Sequence, residues 1–322
     1  MVPWIQQILN PHFPGMGENS PTFRAMPFLL MALIPAPFAI TRYLFGLLDQ
    51  PSDQIWTVSA GLALCLAIFF FFYGMDGLRN VRRQTWTLLF WGYAAYLAFW
   101  YFGRSNTFNT WVLPMWGWGP RDAPMASFAF FCLNNFLFLC VPVWGAAWFI
   151  YGKTPLQWGL STAHNPHTPA VKRLWPIYLA GFSVVLPFVV QAAQSPLFAT
   201  RYPLYDRVIG SDNAITWQTL LLCEALYIAQ FVFLEAFFRG YMLFSLERDF
   251  GSYCLPLMCI PYVACHYGKP LPEVLGAIIA GTLLGWLALK HRSVLLGAAV
   301  HIGVALTMDG IALWVRATII TI

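Results

Sequence analysis

Charge is what this 322-residue chain has least of: only 10% of its residues are Asp, Glu, Lys or Arg. Soluble domains carry about 25%. The 18 basic and 13 acidic side chains cannot clothe a water-soluble globule of 36.4 kDa. That excludes a cytosolic enzyme and a disordered protein. No CxxC pair occurs, and Cys65, Cys132, Cys140, Cys223, Cys254, Cys259 and Cys265 all sit inside apolar runs. They read as small buried hydrophobes, not as disulfides or zinc ligands. Basic residues come as loop singlets and pairs, so no nucleic acid partner is expected. The first twenty residues lack a basic segment leading into an apolar one, and no cleavable signal peptide is expected. No internal repeat stands out, which weighs against an inverted-repeat transporter.

Apolar and aromatic residues fill the space that charge leaves. Hydrophobic residues make up 59% and aromatics 18%, with 15 Trp, 14 Tyr and 28 Phe, and the mean hydropathy is +0.62. These values place the chain in a bilayer and predict an all-α fold, a polytopic transmembrane helical bundle. At roughly 20 apolar residues per crossing there are about nine spans. They run over Met26–Leu48, Ile55–Gly74, Trp86–Phe102, Ala126–Tyr151, Leu174–Gln191, Ala214–Phe244, Ser252–Tyr267, Glu273–Leu289 and Val294–Val315. The count is eight if the first, which carries Pro35, Pro37 and Arg42, does not cross.

Loop charge sets the orientation. Arg79, Arg82, Arg83, Lys153, Lys172, Arg173, Lys290 and Arg292 fall in alternate loops, which the positive-inside rule makes cytoplasmic. Asp49, Asp53, Asp122, Asp206 and Asp212 fall in the others. The amino terminus is then cytoplasmic. The Trp111–Trp118 loop lies outside, as an interfacial anchor or, less simply, a substrate contact.

Spans before about residue 210 hold few ionisable groups, and later spans hold several. Residues 1–210 therefore read as helices of unknown role and 211–322 as the part that carries chemistry. An ionisable group at membrane depth costs several kcal/mol, so each one needs a reason. Glu235 and Arg239, four apart, are neighbours on one helical face and can form a plain internal ion pair. His266 precedes Gly268 and Pro270, near a helix break of the kind tolerated at depth only beside protein or a water-filled cavity. His301 and Asp309 share a helical stripe with Ala305. Glu224, three turns before Glu235, reads as a structural hydrogen-bonding group or as a lining residue of the same cavity.

Spacing allows three of these to meet. If the chain turns at Leu246–Asp249, Glu235 and His266 lie roughly 21 and 25 Å from the turn, within one helical turn of each other in depth. His301 lies roughly 14 Å beyond Arg292, and it meets the pair if the turn at Leu246–Asp249 projects beyond the membrane. A glutamate and two histidines converging in a bundle can activate water. They can also hold zinc with water as fourth ligand, although no HExxH occurs and each comes from a separate span.

The run Glu235-Ala-Phe-Phe-Arg239-Gly240, then His266, then GTLLGWLALKHRSVLLGAAVH ending at His301 resembles the CAAX protease and bacteriocin-processing family. These are intramembrane glutamic endopeptidases, formerly classed as metalloproteases, and include the type II CAAX prenyl endopeptidases. The resemblance covers about residues 215–315. It implies that Glu235, with His266, activates water, that His301 stabilises the oxyanion, and that Arg239 holds Glu235 in place. It further implies an integral membrane protein of a bacterial plasma membrane, working without cofactor on a membrane-anchored or membrane-adjacent peptide. Two positions depart from the family pattern. Leu234 stands where a first glutamate belongs, and Ala305 stands where an asparagine belongs, with Asp309 or a backbone amide as substitute. The alternative is an impaired pseudoprotease that acts as scaffold in a larger membrane complex.

Overall fold

The computed structural model describes residues 34–45, 52–119, 123–152, 158–160 and 171–321. Asp49, Asp122, Lys153 and, of the expected span Met26–Leu48, residues 26–33 and 46–48 lie outside the described residues. Eleven α-helices of eight or more residues organise the described part of the chain. In order they are α1 (Pro35–Phe45), α2 (Asp53–Asn80), α3 (Arg83–Phe102), α4 (Pro124–Asn134), α5 (Val141–Tyr151) and α6 (Val171–Ala192). Then come α7 (Trp217–Glu235), α8 (Leu243–Phe250), α9 (Cys254–Ala264), α10 (Leu271–His291) and α11 (Leu295–Val315). Strand β1 (Ala214–Thr216) pairs in parallel with β2 (Ile319–Thr321).

Among the described residues six stretches are long and apolar enough to cross a membrane: Asp53–Asn80, Pro124–Ile150, Arg173–Ala192, Trp217–Ala264, Leu271–His291 and Leu295–Val315. The expected all-α polytopic bundle is what forms. The third expected span is helical as α3 but falls outside the six, because its Trp and Tyr residues hold down its mean hydropathy. The sixth and seventh expected spans are one apolar stretch of 48 residues. They are divided slightly later than Leu246–Asp249, at Gly251, where a φ of 56° ends α8. Glycine adopts that left-handed conformation without the clash a Cβ brings.

The described residues form two compact units interleaved along the chain. The first takes residues up to 97, those between 142 and 169, and 236–294. At its centre lies α9, apolar on every side and buried along its whole length, as a helix with no polar face must be. Pro261 has no N–H to give the Leu257 carbonyl one turn back. The Tyr93 hydroxyl donates to that oxygen instead, at 2.8 Å. At the end of α9 the Ala264 carbonyl accepts from Gln54 Nε2 at 3.1 Å, and Tyr96 donates to Gln54 Oε1 at 3.2 Å. Helix α10 approaches α9 along Gly281 and Gly285, where a Cβ would fall 2.8 Å from Tyr262 and 2.9 Å from Leu255. Small residues four apart allow this kind of contact in membranes.

Two ion pairs close the expected cytoplasmic end of this unit. Asp249 accepts from Arg82 Nε at 2.9–3.0 Å and from the Thr85 hydroxyl, placing a carboxylate at the positive start of α3. Arg292 Nη1 donates to Glu247 Oε2 at 2.5 Å, and the Glu247 side chain is only 3% exposed. Removing one partner of a buried pair leaves an uncompensated charge, whereas removing both does not. Arg292→Met is therefore expected to destabilise the fold by about 3 kcal/mol. The double replacement Arg292→Met with Glu247→Leu should recover most of the loss, as read by denaturation in detergent.

The second unit takes 98–141, 170–235 and the residues from 295 on. Helix α11 packs on α6 and α7, and α7 packs on α4. Phe182 lies 3.2 Å from where a Cβ on Gly303 would be. At the expected outer end Arg316 pairs with Asp206, and Asn213 Nδ2 donates to the Arg316 carbonyl at 2.7 Å beside the strand pair. Trp111, Met115, Trp116 and Trp118 are exposed in this unit, as side chains that sit at a membrane interface are.

Candidate active site

Helix α7 carries Glu235 as its last residue, and α11 carries His301 two turns after its start. Within the second unit these side chains meet: His301 Nδ1 lies 2.7 Å from Glu235 Oε1. The Glu235 side chain is 1% exposed and that of His301 17%. The carboxylate is thus sealed in while the ring keeps an edge open. With Glu235 as a carboxylate, which only accepts, Nδ1 donates to it and the neutral form of the ring is left with Nε2 as its acceptor nitrogen. Phe231, one turn before Glu235, lies against the His301 ring with centroids 4.5 Å apart and limits its rotation.

After Glu235 the chain changes winding, and residues Ala236–Met242 form a π-helical turn. Its i→i+5 bonding alters the angular offset between successive side chains, so the i, i+4 spacing no longer fixes where Arg239 points. Within the first unit the Arg239 guanidinium lies over the Tyr262 ring, 4.0 Å from its centroid. His266 stands just past α9, with Nδ1 2.9 Å from the Tyr262 carbonyl. The first unit thus brings together Arg239, Tyr262 and His266, and the second brings together Glu235 and His301. Tyr262 is not among the ionisable groups the sequence singled out, because an uncharged ring at membrane depth carries no cost that asks for a reason.

The two accessory residues form another polar group in the second unit. Tyr205 donates to Glu224 Oε1 at 2.7 Å. Asp309, fully buried, lies within electrostatic range of Glu224, Tyr205, Cys223 and Cys132. Burial and the hydrogen bond to Glu224 push the Tyr205 hydroxyl well above its usual range, so it remains a donor through neutral pH. Eight helical residues separate Asp309 from His301, about 12 Å of rise. Ala305 packs with Phe128, Cys132, Tyr205 and Cys223 on this same side. Tyr205→Phe is expected to destabilise the protein by about 1–3 kcal/mol, because Glu224 loses its donor, with cleavage kinetics unchanged.

Among the described residues no three His, Cys, Asp or Glu side chains are arranged to hold a metal ion. Neither a curated protein nor a solved structure matches the chain. With its six membrane-crossing stretches the chain is an integral membrane protein, and over residues 216–307 it matches the model of the family described as type II CAAX prenyl endopeptidase Rce1-like.

Proposed function

We propose that this protein is an intramembrane endopeptidase in which the Glu235–His301 pair activates water. The observation that carries the reading is the 2.7 Å contact between these side chains, inside the stretch that matches a prenyl endopeptidase family. Glu235 holds Nδ1–H and leaves Nε2 to accept a proton from water as the oxygen attacks a peptide carbonyl. The new C–O bond places negative charge on the carbonyl oxygen. The imidazolium formed beside Glu235 then carries Nε2–H, which donates to that oxyanion and next protonates the departing amine as the C–N bond breaks. The roles of His266 and Arg239 in this reading rest on their motif positions alone.

The substrate in this reading is a membrane-anchored or membrane-adjacent peptide, because its groups lie in apolar stretches. Residues 211–322 carry the chemistry, and loop charge keeps the amino terminus on the cytoplasmic side of a bacterial plasma membrane. The assay is hydrolysis of an internally quenched farnesylated peptide ending in a CAAX sequence, with the full chain in lipid nanodiscs. An unprenylated copy of the peptide tests whether the lipid is needed.

A second reading has its own observations. Leu234, in the place of the first glutamate, is buried as an apolar side chain, and Ala305 belongs to the core around Tyr205. Both fit a scaffold that has kept the fold and lost the reaction. Stoichiometric co-purification of membrane partners, unaffected by Glu235→Ala and without peptide cleavage, favours that reading.

A further inference from the structure

Tyr262 touches both of the first unit's motif side chains. One face of its ring seats the Arg239 guanidinium at 4.0 Å. Phe238 meets it edge-on with centroids 5.3 Å apart, and the His266 ring lies at 4.9 Å. Tyr262, Arg239 and His266 are 2%, 1% and 9% exposed, so water does not compete for these contacts. A guanidinium desolvated over an aromatic face is attracted by the ring, which offsets part of the cost of its depth.

The ring holds this place because nothing on α10 displaces it. A Cβ on Gly281 would stand 2.8 Å from Tyr262 Cδ1 and 3.0 Å from Cε1. Real carbon contacts do not close that far, so any side chain at 281 moves the ring, and the guanidinium with it. The backbone of Tyr262 performs a separate task. Past the end of α9 the chain tightens, and the His266 N–H takes the Val263 carbonyl, three residues back, at 2.9 Å. The Tyr262 carbonyl, four residues back, is met by the His266 ring instead. A carbonyl only accepts, so Nδ1 carries a proton.

We infer that Tyr262 is a positioning residue for Arg239 and His266. Its ring seats the guanidinium, its carbonyl selects the Nδ1–H form of His266, and Gly281 leaves the space the ring fills. The kinetic half of this inference rests on the proteolytic reading above; the placement of the ring and of the proton does not.

The test compares native protein, Tyr262→Phe, Tyr262→Leu and Gly281→Ala in nanodiscs, using the quenched farnesylated peptide. A parallel 15N spectrum of 15N-histidine-labelled protein is assigned by the signal lost in His266→Gln. Tyr262→Phe keeps ring and carbonyl, and its kcat should lie much nearer the native value than that of Tyr262→Leu. Tyr262→Leu and Gly281→Ala should each lower kcat about 100-fold with KM unchanged, the effect of misplacing a reacting group by about 1 Å. The spectrum should place the His266 proton on Nδ1 in native protein and in Tyr262→Phe. Native kcat in Tyr262→Leu, or a native His266 protonated on Nε2, overturns the inference. A native protein that leaves the peptide intact overturns the proteolytic reading alone, and the spectrum then decides the positioning by itself.

Discussion

Glu235→Gln is expected to lower kcat for peptide cleavage by about 10²–10⁴-fold, with KM and the yield of folded protein unchanged. Glutamine has the size of glutamate, and its amide oxygen still accepts from His301 Nδ1, so the 2.7 Å contact survives in neutral form. What disappears is the negative charge that stabilises an imidazolium as the ring takes a proton from water. Because that charge is needed only as the proton moves, the loss falls on kcat. A purely structural ion pair gives the opposite pattern: lower stability and unchanged turnover. Steady-state kinetics and a thermal melt on one preparation separate the two.

His266→Ala should lower kcat by a similar factor, about 10²–10⁴. Alanine, however, also strips the Tyr262 carbonyl of the ring that meets it and opens a cavity. His266→Asn separates those effects. The asparagine amide can still donate to the carbonyl, but it offers no nitrogen base. If His266 assists the base, Asn is as inactive as Ala. If the residue only ties off the end of α9, Asn restores the native rate.

The helical class of the molecule was legible because a bilayer leaves the backbone few options: apolar stretches of about 20 residues must satisfy their own polar groups as helices. Glu235 and His301 were legible for the complementary reason, that ionisable groups at depth are costly. Spacing alone matched Glu235 in depth with His266 and left His301 shallower unless the turn at Leu246–Asp249 projects beyond the membrane, whereas the structure brings Glu235 and His301 to 2.7 Å. Arg239 was less legible. The i, i+4 rule presumes α-helical winding, and residues 236–242 are π-helical, so the guanidinium's seat on Tyr262 could not be read from four-residue spacing. Pro261 marks α9 as a helix with a missing donor, yet nothing local says that Tyr93 supplies it from a residue 164 positions away. The hydrogen bond from Tyr205 to Glu224 was hidden for the same reason. Its donor lies in a connecting segment whose path depends on helices elsewhere in the second unit.

The claim that Glu235 and His301 act as one proton-handling unit is tested most directly by a kinetic cycle of Glu235→Gln, His301→Ala and the double variant on the quenched farnesylated peptide. Residues that serve one step are strongly non-additive. The account predicts that the double variant is no slower than the slower single variant. Losses that multiply, or a native protein that leaves the peptide uncut, contradict it.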